Sequence, residues 1–111
     1  MEKVYNKLVR DKIPNIIEEN GETPIIRKLN DTEYKKELEK KLYEEYKEVI
    51  EATGKDRIEE LADMLEVIKA LSKLENSDLN EIALTADKKN EKRGAFEEKI
   101  FLEKVISKSK K

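Results

Sequence analysis

The sequence predicts an all-α fold: an antiparallel bundle of about four helices, with short extended segments near 24–29 and 99–106, assembled as an oligomer. Three observations carry this. Helix-compatible residues dominate the 111-residue chain, and only three Gly and two Pro interrupt them. Apolar residues recur at helical spacing, and the connections between the periodic stretches are short, which favours antiparallel neighbours. Hydrophobic residues make up 37% and aromatics 5%. That is a lean core for one lone domain, so apolar surface shared between subunits is expected.

The elements follow in order. Asp11 is placed to N-cap a short first helix, with Pro14 in its first turn and Gly21 just past its end. "TPIIRKL" reads as extended, because Pro24 biases its predecessor away from helix and Ile25 and Ile26 are β-branched. Asn30 or Asp31 caps a second helix that runs to about Thr53 and is stopped by Gly54. Asp56 caps a third, to about Leu74, and Ser77 or Asp78 a fourth, ending near Gly94. "AFEEKIFLEKVI" fits either a strand pairing with "PIIRKL" or a short helix, and extended is the favoured reading. The Lys-rich tail "SKSKK" reads as a frayed end. Positions 1–111 are expected to form a single domain.

Composition narrows the chemistry. With 24 basic and 26 acidic residues the net charge is -2, which argues against a general nucleic-acid or membrane-surface binder. Cys is absent, so disulfides and thiolate metal sites are excluded. His is absent too, which removes imidazole ligands, His acid–base catalysis and Ser-His-Asp triads. The N-terminal stretch lacks a signal-type apolar run, and no segment approaches the roughly 20 apolar residues of a membrane span. A cytoplasmic protein is expected.

Helical geometry then sorts the acids. Each residue advances about 100° around the axis. With Tyr34 at zero, Leu38, Leu42, Tyr46, Val49 and Ala52 fall within an arc of roughly 0–120°, the expected buried face. Glu44 lands near 280°, towards solvent, whereas Glu45 lands near 20° and Glu48 near 320°, on or beside the stripe. On the third helix Glu59, Glu66, Lys69 and Lys73 share a polar arc, while Glu60 and Asp63 project among Val67, Ala70, Leu71 and Leu74. Glu45 and Glu48 are i,i+3, as are Glu60 and Asp63. Two antiparallel helices can therefore aim four carboxylates at one point. Uncompensated, such a cluster repels itself. A hard divalent cation such as Mg²⁺ or Mn²⁺ is the natural compensation for oxygen ligands. The other reading is that these are surface acids beside an incomplete stripe, or salt-bridge partners of Lys across the bundle.

On the fourth helix, Leu79, Ile82, Ala83 and Ala86 form an apolar face that continues into Lys89, Asn90 and Arg93. Cations extending an apolar face suit a phosphate-bearing ligand, or else snorkel to solvent at the helix end. Tyr46 at stripe spacing reads as core, with stacking on a base as the alternative.

"EEYKE", eleven intervening residues and "ELAD" together resemble the EExxE…ExxD signature of the all-α nucleoside triphosphate pyrophosphatases. That superfamily includes MazG-like proteins, dimeric dUTPases and phosphoribosyl-ATP pyrophosphohydrolase. "YNKLVRDKIPNII" and "KRGAF" resemble its small single-domain branch, and the three segments span positions 5 to 96. The resemblance implies that Glu45, Glu48, Glu60 and Asp63 bind Mg²⁺, with Mn²⁺ as an alternative. It implies hydrolysis of a nucleoside triphosphate between the α- and β-phosphates to a monophosphate and pyrophosphate, in a homodimer or homotetramer. With no His present, Glu45 or Glu48 is the candidate catalytic base. Lys89 and Arg93, joined by Arg10 and Lys12 of "VRDKIP", would contact phosphate oxygens. Arg10 with Asp11 is alternatively a local cap network. The sequence departs from the family in its short gap between the acidic halves. "YEEY" also stands where phosphoribosyl-ATP pyrophosphohydrolase carries "GEEA". A nucleotide-clearing enzyme is therefore favoured over the histidine-biosynthetic one. A non-catalytic nucleotide- or metal-binding helical module is the remaining alternative.

Overall fold

The computed structural model describes residues 1–107. It contains four α-helices, α1 (Ile13–Glu19), α2 (Asp31–Glu51), α3 (Gly54–Leu74) and α4 (Leu79–Arg93), and no strand among the described residues. The chain forms two compact units, Met1–Leu79 and Asn80–Lys111. The Lys-rich end at 108–111 lies outside the described residues, so most of the expected frayed tail is not addressed.

The expected first helix is present, but Lys12 rather than Asp11 occupies its N-cap, with no side-chain bond to the exposed amides. Pro14 sits in the first turn, where a missing N–H costs nothing. The helix ends in a Schellman arrangement. Gly21, at φ 83°, donates to the Glu18 carbonyl at 3.0 Å and Glu22 donates to Ile17 at 3.1 Å.

Segment 24–29 is neither helix nor strand and leads straight into the start of α2. Asn30 caps that helix in a capping box: its Oδ1 accepts from the Glu33 amide at 2.9 Å, and Glu33 Oε1 accepts from the Asn30 amide at 3.4 Å. Arg27 then grips the same Glu33 through both terminal guanidinium nitrogens, at 3.2 and 3.0 Å. This engagement raises the Arg27 pKa and lowers that of Glu33. The other expected extended segment, 99–106, is likewise irregular, so the strand pairing between the two does not form.

α2 stops at Glu51, earlier than expected, and Gly54 opens α3 rather than merely closing α2. The N-cap of α3 is Thr53, not Asp56, which lies in the first turn. The connection is thus only Ala52 and Thr53, and α2 and α3 pack as an antiparallel hairpin. Arg57 secures the corner. Its Nε donates to the carbonyls of Val49 at 3.1 Å and Ala52 at 2.9 Å, two acceptors that the end of α2 leaves open. Gly54 supplies the left-handed backbone there, at φ 58°.

Between these helices Leu38 and Val67 are buried; Ser72 is also buried, and its Oγ donates to the Lys69 carbonyl at 2.6 Å. Leu42, Val49, Met64, Ile68, Ala70 and Leu71 are half-buried. Tyr46, read from the sequence as core, is 51% exposed. Its ring instead lies 6.4 Å from that of Tyr43. α3 ends as α1 does, with Asn76 at φ 56° in the glycine-like position, Ser77 donating to Ser72 and Asn76 to Lys73.

In the second unit α4 ends at Arg93, and Gly94, at φ 78°, donates back to Asn90 at 2.8 Å. Of the expected apolar face of α4, Leu79 is half-buried, whereas Ile82 is 41% exposed and Ala83 and Ala86 are exposed.

Candidate metal centre

The hairpin geometry sets the carboxylates. Glu45 lies seven residues before Ala52 and Glu60 seven after Thr53, so the tight connection brings them level on facing helices. Asp63 follows Glu60 by three positions and shares its face. Glu45, Glu60 and Asp63 each offer a carboxylate oxygen, and these oxygens all lie within 4.8 Å of one another. All three residues are half-buried. Glu48 is exposed and stands outside this triplet, near enough to Glu60 to raise its pKa.

The electrostatics follow from this crowding. Burial first, then the charge of Asp63, pushes the Glu45 pKa above its ordinary value; Glu48 and Glu44 add to this, while Lys41 opposes it. Glu60 is also raised, by desolvation, then by Glu48, and then by Asp63 and Glu45. Oxygen-only donors, three of them convergent and two held above their normal pKa, fit a hard divalent cation.

The basic residues divide. Arg10 reaches the cluster directly: its Nη2 donates to Asp63 Oδ1 at 2.8 Å. That contact, rather than a local network with Asp11, is what Arg10 makes. Lys12 is exposed at the start of α1. Lys89 and Arg93 lie four residues apart on α4, in the second unit, and both are exposed. Glu44, expected in solvent, has a half-buried side chain and a long ion pair with Lys7 at 3.9 Å. Lys7 and Leu8 lie against Glu37, Lys40, Lys41 and Glu44 of α2. The N-terminal segment therefore runs over α2 and touches α3 through Arg10. Lys47 stands over the Tyr43 ring, 5.3 Å from its centroid.

Sequence reasoning missed the Arg57 clamp and the Lys7–Glu44 contact. A basic residue six positions after the last residue of α2 was the available signal for the first. Nothing local signals the second, since its partners are distant in sequence.

No family model matches the chain, and no solved structure matches it. A curated relative from Mycolicibacterium smegmatis (strain ATCC 700084 / mc(2)155), described as an uncharacterized protein, is 48% identical over 50 residues. Those residues are 45% of this chain and 51% of the relative, so the chain spans about half the length of the curated relative it matches.

Proposed function

We propose that the α2–α3 hairpin binds Mg²⁺, or Mn²⁺ in its place, and that the protein is a nucleoside triphosphate pyrophosphohydrolase releasing a monophosphate and pyrophosphate. One observation carries the reading: Glu45, Glu60 and Asp63, three of the four acids in the pyrophosphatase-like motif, converge with oxygens within 4.8 Å. The short gap between the acidic halves is compatible with this, because a two-residue connection suffices to bring them level.

A bound divalent cation would neutralise and orient the polyphosphate. Glu45, Glu60 and Asp63 would hold it. The raised pKa of Glu45 arises from burial and neighbouring acids, and a cation would relieve that repulsion, so the shift by itself does not mark Glu45 as the base. Glu48, outside the triplet, takes the proton from water in this reading. The water oxygen bonds to the α-phosphorus, the bond to the α–β bridging oxygen breaks, and pyrophosphate leaves. Within the first unit Arg10 and Lys12 are the candidate phosphate contacts, and Lys89 and Arg93 of α4 are candidates from the sequence alone. A nucleotide-clearing role in the cytoplasm fits a chain in which no described helix is long and apolar enough to cross a membrane.

A homodimer or homotetramer belongs to the same proposal. Leu38 and Val67 are the hydrophobic residues buried among those described, whereas Ile58, Leu61 and Leu65 of α3 are 66%, 47% and 46% exposed. A second copy would cover that stripe.

The test is a panel of nucleoside triphosphates with Mg²⁺, with the products identified. Monophosphate plus pyrophosphate is expected, and Glu60→Gln or Asp63→Asn should abolish turnover in a protein that stays folded. Turnover to diphosphate and phosphate, or none on any nucleotide, would sink the reading. Mg²⁺ binding without turnover would favour the non-catalytic module.

A further inference from the structure

We propose that Arg10 is a built-in counter-cation: its guanidinium holds Asp63, and a divalent cation competes with it for that carboxylate, releasing the N-terminal segment that it tethers. The proposal rests on the reading of Glu45, Glu60 and Asp63 as a cation site. Arg10 Nη2 stands 2.8 Å from Asp63 Oδ1. Asp63 is also one of the three residues whose oxygens converge. One carboxylate thus faces two candidate cations, one supplied by the chain itself.

The tether is built to be exchanged. Segment 1–10 has neither helix nor strand. Beyond Arg10 it rests on α2 through Leu8 and the long Lys7–Glu44 pair. The Arg10 and Asp63 side chains are 58% and 46% exposed, so the pair is open to solvent ions and weakly held. A divalent ion brings twice the charge and gathers three carboxylates, where the guanidinium satisfies one. Once displaced, the guanidinium is a free planar fork of five donors, suited to phosphate oxygens. Coupling of this kind is reciprocal: whatever hold the cation breaks on Arg10, Arg10 imposes on the cation.

The full-length chain and Arg10→Gln are compared by Mn²⁺ titration followed by electron paramagnetic resonance. Backbone ¹⁵N order parameters of residues 7–10 are measured in the wild type with and without saturating Mg²⁺. Arg10→Gln should bind Mn²⁺ more tightly, by up to about fivefold, the ceiling set by an exposed ion pair. Mg²⁺ should lower the order parameters of the wild-type segment. Equal or weaker Mn²⁺ binding by the variant, or an unchanged wild-type segment, overturns the proposal and leaves the cation site standing. If the wild type binds no Mn²⁺ at all, the proposal and the cation-site reading fall together.

Discussion

Glu45 and Glu60, on opposite arms of the hairpin, bring carboxylate oxygens within 4.8 Å of each other. Both are pushed above the ordinary glutamate pKa, each by desolvation first and then by neighbouring acids. A carboxyl raised on folding stabilises the fold while it is protonated, and that contribution disappears as pH climbs through the folded pKa. Without divalent cations, stability from this pair is thus present at acid pH and lost from the ordinary carboxylate range upward. Glu45→Gln removes the charge but keeps the shape. Its melting temperature in chelator should match the wild type near about pH 4 and exceed it by a few degrees at neutral pH, under about 1 kcal/mol after solvent screening. Saturating Mg²⁺ should reverse the order. A melting-temperature difference that does not change with pH would contradict the electrostatic account.

Arg57 joins two helices by closing the open carbonyls of Val49 and Ala52. Arg57→Ala leaves those carbonyls to water and frees the corner that keeps Glu45 level with Glu60. We expect a loss of about 1 kcal/mol, read as a lower urea midpoint at unchanged slope. An unchanged midpoint would mean that the two-residue connection holds the hairpin without the guanidinium.

Ile58, Leu61, Ala62, Met64, Leu65 and Ile68 form an open apolar stripe along α3. On the proposed assembly, placing a charge at its centre with Leu65→Glu should give monomers with raised helix fraying where the wild type sediments as an oligomer, visible by sedimentation velocity and circular dichroism. Wild-type chain that sediments as a stable, well-folded monomer would remove the shared-core argument.

Much of this architecture was legible locally. Asn30, one of the two expected caps of α2, Pro14 at the start of α1, and Gly21 and Gly94 after helix ends are short-range signals, and each acts near its expected place, whereas the reciprocal bond from Glu33 emerged only in the structure. Boundaries near the hairpin corner were less legible. Thr53 and Gly54 serve the next helix, and the choice between ending one helix and beginning another depends on how the two pack. Tyr46 shows the limit of a wheel: position on a stripe says which way a side chain points, and exposure depends on what stands there.

The site divides along the same line. Helical period and sequence alone put Glu45, Glu60 and Asp63 on inward-facing arcs, because 100° per residue is a property of the backbone. Only the packed hairpin decided that those three oxygens meet while Glu48 stays outside, and that Arg10 ends on Asp63. Convergence between chain segments up to 53 residues apart is set by helix packing and loop length, which no local spacing encodes.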